Sequence, residues 1–124
     1  MLTDKYMLHL WRQACLIQYY NRCVFCEKYG VEFLQVHHIV RRRHKITRYM
    51  VLNGLPLCDK CHRLAHTKTG EIKIMKTLGE KKYNKLMKLE LVTFKQYLSD
   101  NKMTEREFMD RAAAELKSII GGDR

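Results

Sequence analysis

The sequence predicts an α+β fold: a small β-hairpin-plus-helix module with further helices on either side. Three observations lead there. Two Cys-x-x-Cys pairs, Cys23/Cys26 and Cys58/Cys61, bracket a central stretch. Inside it, two short runs rich in β-branched, aromatic and aliphatic residues precede a short helical segment. Outside it, apolar residues recur at helical spacing. With 124 residues there is room for one compact domain. The expected organisation is an N-terminal helix over residues 1–20, a central module over 21–70 and a helical C-terminal extension over 71–124.

Residues 4–20 read as the first helix. Met7, Leu10, Trp11, Ala14 and Ile17 fall at helical spacing, and Asp4 is placed to cap the start. Trp11 and Tyr6 are expected to pack in the core, and Cys15, with no second cysteine at ligand spacing, is expected to be a buried thiol. Residues 21–30 form a turn carrying the first cysteine pair. Residues 31–40 read as a strand, 41–50 as a basic loop and 52–57 as a second strand with Asn53-Gly54 and Pro56 as local breakers. Asp59 to His66 reads as a short helix, and Thr67 to Gly70 as a polar turn. Glu80 to Leu98 reads as one long helix, with Tyr83, Met87, Leu91, Phe94 and Leu98 on one face and lysines on the other. Thr104-Glu-Arg-Glu107 is a capping-box sequence flanked by Met103 and Phe108 as a hydrophobic staple. The helix it opens is expected to stop at Gly121-Gly122.

The net charge is +11, from 24 lysines and arginines against 13 acids. A balance this basic points to a polyanionic partner, and nucleic acid is the usual one. No apolar run approaches the roughly 18 residues of a membrane span, and the first residues lack the pattern of a secretory signal. A cytoplasmic location is the resulting expectation. In a reducing compartment paired cysteines are read as metal ligands before disulfides. Each Cys-x-x-Cys puts two sulfurs on one tight turn, and two such pairs suit tetrahedral zinc. Cys23, Cys26, Cys58 and Cys61 are therefore expected to hold a structural Zn²⁺. Such a closed site does no chemistry; it clamps the start of the hairpin to the start of the helix.

That clamp would bring His37-His38 near His62 and His66. The latter two are four residues apart and share a helix face, so their imidazoles can close on one ion. Hydrolysis of a phosphodiester needs a base near neutral pH, a cation for the developing charge, and a group that holds the base in one orientation. Histidines and Asn53 in this stretch supply such groups. Arg41, Arg42, Arg43, Lys45 and Arg48 lie between them, and guanidinium forks suit phosphate oxygens. These five are expected to contact DNA backbone, with Arg42 or Arg48 as candidates to stabilise a transition state.

The order of these residues resembles the HNH, or ββα-metal, nuclease family (a treble-clef-like His-Me finger). The matching positions are His38, Asn53 and His62, with His66 one turn on, and the resemblance spans residues 20–68. The segment His38-Ile-Val-Arg41-Arg42-Arg43-His44-Lys-Ile-Thr47-Arg48-Tyr49, with Asn53 four residues later, is most similar to phage recombination nucleases of the NinG (Rap) type. The resemblance implies that His38 is the general base and that Asn53 tethers the hairpin loop and orients it. It implies His37, His62 and His66 as ligands of one catalytic divalent cation, Mg²⁺ or Mn²⁺ first and Zn²⁺ or Ni²⁺ after them. Products would carry 5′-phosphate and 3′-hydroxyl ends, and the setting would be a bacterial host cytoplasm. The chain departs from many family members at His37, where Asp or Gly is found. Adjacent residues on a regular strand also point to opposite faces, so His37 and His38 meet one centre only where the strand twists or ends.

The expected function is thus a metal-dependent HNH endonuclease acting on branched or recombination-intermediate DNA. The competing reading is a non-catalytic zinc-knuckle module that binds nucleic acid, and backbone contacts alone leave RNA open as the substrate. The C-terminal helices carry apolar stripes that fit a homodimer or an intramolecular core equally well.

Overall fold

The computed structural model describes residues 1–122, so the last two residues of the expected C-terminal extension lie outside the described residues. Helix α1 (Asp4–Gln18) leads to an irregular segment carrying the first cysteine pair. Strand β1 (Leu34–His38) follows, then the basic loop, strand β2 (Gly54–Cys58) and helix α2 (Asp59–Ala65). Four further helices complete the chain: α3 (Lys68–Leu78), α4 (Glu80–Glu90), α5 (Phe94–Asp100) and α6 (Glu105–Gly121). The two strands form an antiparallel pair with Leu34 opposite Cys58 and His38 opposite Gly54. This is the α+β arrangement expected of a ββα module flanked by helices. Among the described residues no helix is long and apolar enough to cross a membrane.

Two apolar clusters hold the chain. One gathers Leu16, Leu34, Leu55, Leu57, Ala65 and Ile74 around the buried cysteines, with Leu78 and Tyr83 against it. The other joins Met7, Leu10, Trp11 and Ala14 of α1 to Ala113 and Leu116 of α6. Val36 packs against both. Ala113 and Leu116 of α6 are thus buried against α1 within one chain.

Several boundaries differ from expectation, each for a local reason. Thr3, not Asp4, caps α1: its hydroxyl accepts from the Tyr6 amide at 3.1 Å. Asp4 turns instead to the basic loop. Ile17 and Tyr6 are exposed, and Leu16 takes the buried position expected of Ile17. Residues 31–33 form a 3-10 turn, and the strand begins only at Leu34. Asn53 ends a second 3-10 turn, so β2 starts at Gly54, two residues later than expected. The expected turn at Thr67–Gly70 is the start of α3: Thr67 accepts from the Gly70 amide at 3.1 Å. A side chain at Gly70 would run into the Leu64 carbonyl of α2, so glycine there reflects close packing of two helices. The helix expected over 80–98 breaks after Glu90, where Thr93 caps α5 by accepting from the Gln96 amide at 3.1 Å. Leu91, expected on the apolar face, is 86% exposed at that break.

The α6 capping box forms in full. The Glu107 amide donates to Thr104 Oγ1 at 3.1 Å, and the Thr104 amide donates to Glu107 Oε1 at 3.0 Å. Phe108 packs edge-on against Phe94 and Tyr97 of α5, with ring centroids 5.0 and 6.0 Å away.

Candidate metal centres and active-site cleft

The four cysteines converge from two loops. The first pair lies in a turn where the Glu27 amide donates to the Cys23 carbonyl at 2.8 Å and the Val24 amide to the Pro56 carbonyl at 3.0 Å. The second pair straddles the entry to α2, with Cys58 as its N-cap residue. All four sulfurs lie within 4.8 Å of one another, and none is in a disulfide. Cys26 and Cys58 Sγ are 3.7 Å apart. Zn–S bonds of 2.3 Å in a tetrahedron put sulfurs about 3.8 Å apart, so the cluster has the dimensions of a zinc-thiolate site. Burial and the neighbouring sulfurs push the Cys61 thiol up, which is the behaviour of a group that needs a cation to ionise. The donor set and its spacing fit Zn²⁺.

The second cluster is made of His37, His62 and His66, whose ring nitrogens also lie within 4.8 Å of one another. Ring centroids are 5.2 Å apart for His37–His62 and 5.1 Å for both His37–His66 and His62–His66. Strand β1 presents His37 toward α2, where His62 and the C-cap residue His66 lie one turn apart. Burial, and then the approach of His62, His66 and His38, brings His37 down to about 4. Burial followed by His66 also lowers His62. Both imidazoles are neutral at neutral pH, with lone pairs free for a cation.

One member of this site was not visible in the sequence. Gln35 Oε1 accepts a hydrogen bond from His62 Nδ1 at 2.7 Å. An amide oxygen only accepts, so His62 carries its proton on Nδ1 and offers Nε2 to an ion. Strand alternation puts residues 35 and 37 on one face, and that two-residue step was the signal available.

His38 occupies the other face of the strand end. Its ring stacks on Trp11 of α1, centroids 3.9 Å apart and planes 13° from parallel. Its Nε2 lies 3.0 Å from the Arg48 carbonyl. The carbonyl can only accept, so Nε2 holds the proton and Nδ1 is the basic nitrogen. Trp11 is itself fixed by donating Nε1–H to the Met50 carbonyl at 2.8 Å. Burial lowers the basicity of His38; the Arg48 carbonyl works against this and the Arg42 and Arg48 charges add to it. Because β1 ends at His38, His37 and His38 line the same cleft although their rings leave the strand on opposite sides.

Asn53 is fully buried under the basic loop. Its Oδ1 accepts from the Val40 amide at 2.6 Å, and its Nδ2 donates to the Val40 and Thr47 carbonyls at 3.0 and 3.1 Å. None of these side-chain partners is a histidine. Its side chain ties Val40, just before the loop, to Thr47, the residue before Arg48.

The basic loop divides in two. Arg48 donates to the Arg42 and Arg43 carbonyls at 2.6 and 3.4 Å and pairs with Asp4 at 3.5 Å. Arg42 pairs with Asp4 at 3.4 Å, and the Tyr49 hydroxyl donates to the same carboxylate. These contacts tie the loop to α1. Lys45 approaches Glu105 at 3.9 Å. Arg41 lines the histidine cleft, and Arg41 and Arg43 line a neighbouring recess.

Residues 23–68 match the family model described as HNH endonuclease. No curated protein and no solved structure matches the chain. The family match covers the zinc-ligand pairs, both strands and α2, and at the level of the family it supports a nuclease-type function that involves metal and nucleic acid.

Proposed function

We propose that this chain is a metal-dependent HNH endonuclease that hydrolyses phosphodiester bonds in DNA. The observation that carries the reading is the division at the end of β1. One histidine joins a three-imidazole cluster, and its neighbour is held by a backbone carbonyl with one basic nitrogen left over. A nucleic-acid-binding knuckle without activity has no use for that second arrangement.

A divalent cation held by His37, His62 and His66 would neutralise charge on the phosphate and on the leaving oxygen. An all-imidazole donor set suits Ni²⁺ or Zn²⁺ better than Mg²⁺ or Mn²⁺, which prefer oxygen ligands. His38 takes the proton from water at Nδ1 as the water oxygen bonds to phosphorus and the P–O3′ bond breaks. Trp11 and the Arg48 carbonyl keep the imidazole in one plane and one tautomer. Asn53 acts through the loop it closes, as a positioning residue. Arg41 and Arg43 meet phosphate oxygens, with Lys45 beside them; Arg42 and Arg48 contribute by shaping the loop. Branched or recombination-intermediate DNA, in a phage-infected bacterial cytoplasm, is the substrate class favoured by the NinG-like segment His38–Tyr49.

Cleavage of supercoiled, branched and plain duplex DNA with Mn²⁺, Ni²⁺, Zn²⁺ or Mg²⁺ tests this. His38→Ala should lose about 10²–10⁴-fold in rate while keeping its zinc. Metal-dependent cleavage that survives in His38→Ala would refute the assignment.

A further inference from the structure

The cleft that holds the histidines has a second wall, which the matched segment does not include. Helix α4 places Tyr83, Met87 and Glu90 at i, i+4 and i+7 along one face, and all three line the same cavity as His37, His38 and His66. The cavity measures about 500 Å³. That is within the range of a site for one small ligand, and a nucleobase with its sugar is of this size. Arg41 and Lys68 border it as well, which suits a phosphate entering beside the histidines.

The remaining lining does not suit a phosphate. Tyr83 and Met87 are half-buried and offer an aromatic ring and an apolar thioether. Glu90 and Glu71 bring carboxylates, and neither forms an ion pair among the described residues. Two unpaired carboxylates facing a polyanion are unfavourable unless each receives a hydrogen bond. Nucleobase amino groups are such donors, and carboxylates accept from the amino group of cytosine in this way. Glu71 is not one of the three residues whose ring nitrogens lie within 4.8 Å of one another.

We propose that this α4 wall is a nucleobase site. Tyr83 stacks on an unpaired base next to the scissile phosphate, Met87 closes the apolar side, and Glu90 and Glu71 accept from the base edge. In an intact duplex a base is paired and stacked and does not reach such a recess. The site therefore selects DNA whose scissile position is single-stranded, at a flap, a gap or a frayed end. This inference rests on the nuclease reading above and names its substrate.

The test uses the full-length zinc-loaded protein with Mn²⁺ and three labelled oligonucleotide substrates of one sequence: single-stranded, flapped and fully paired. The wild type should cut the unpaired scissile position about ten-fold or more faster than the paired one, given the strength of base stacking on aromatic side chains. Tyr83→Ala should lose that preference through KM on the unpaired substrates, and Tyr83→Phe should restore it. Glu90→Gln, an exposed change that leaves the fold intact, should alter which base is favoured beside the cut. It decides the matter if Tyr83→Ala fails to fold. Wild-type substrate ratios and base preferences in all variants would overturn the nucleobase site and leave the nuclease standing. Absence of cleavage of any substrate by the wild type would remove both.

Discussion

Replacing Asn53 with alanine deletes three hydrogen bonds from a fully buried position. The Val40 amide, the Val40 carbonyl and the Thr47 carbonyl would all lose their side-chain partner. Each buried backbone group left unpaired costs about 1–3 kcal/mol. Water entering the vacated space would recover part of this, so a loss of about 3–5 kcal/mol is expected, a large share of the total for a domain this size. The catalytic effect follows by another route. Residues 40 and 47 are the two ends of the stretch that leads directly into Arg48, whose carbonyl meets His38. With both ends free, His38 no longer has one favoured tautomer, and the rate should fall toward that of His38→Ala, a drop of about 10²–10⁴-fold. Denaturant unfolding of the zinc-loaded variant measures the first effect, and single-turnover cleavage at saturating metal measures the second. A variant within about 0.5 kcal/mol of the parent would show that these bonds do not hold the loop. A destabilised variant with full activity would show that the loop does not orient His38.

Four further outcomes are expected. Gln35→Ala frees the Nδ1 proton of His62 and should weaken Mn²⁺ or Ni²⁺ binding about 10–100-fold in calorimetric titration, with zinc content unchanged; equal affinity would exclude the positioning role. Cys58→Ser should release zinc and lose helical circular dichroism, whereas a zinc-free, folded variant would remove the structural role of the site. Burial lowers His38 below its ordinary 6.5, so its neutral, active form prevails above that pH. At saturating metal the rate should rise with pH along an acid limb centred below 6.5, and a limb centred above 6.5 would contradict this. The stability linked to the same shift is fully present above 6.5 and is lost as pH falls through the lowered value. Gly54→Ala would drive a methyl group against Cys15 Sγ, the Trp11 ring and Val36, and should cost about 1–3 kcal/mol in unfolding experiments; a neutral result would mean that α1 and β2 have room to part.

The features legible in the sequence were those whose physics is local. A Cys-x-x-Cys turn brings two sulfurs together whatever surrounds it, and His62 and His66 share a face on any helix. Thr104 and Glu107 close their capping box within one turn of chain. The misread segments were those where a distant partner settled the outcome. Thr67 to Gly70 reads as a turn, yet it is the first turn of α3, with Gly70 at a point where the Leu64 carbonyl of α2 leaves no space for a side chain. The long helix expected through Leu98 ends at Glu90, with Thr93 supplying a cap that the apolar spacing concealed.

The same distinction runs through the site. Spacing nominated the four cysteines, His62 and His66, because residue type and interval constrain which atoms can share an ion; the roles expected of His37, His38 and Asn53 came from the resemblance to the HNH pattern. Which histidine joins the cluster was decided by the end of β1, which lets His37 face α2 and sends His38 onto Trp11 of α1. Which arginines of the loop are tied to α1 was decided by Asp4, whose carboxylate comes from the first turn of the chain to hold Arg42, Arg48 and Tyr49. The wall of Tyr83, Met87 and Glu90 depends on how α4 folds back over the module. No pattern near residues 37–66 encodes that wall, because the contacts that build it link segments far apart in the chain.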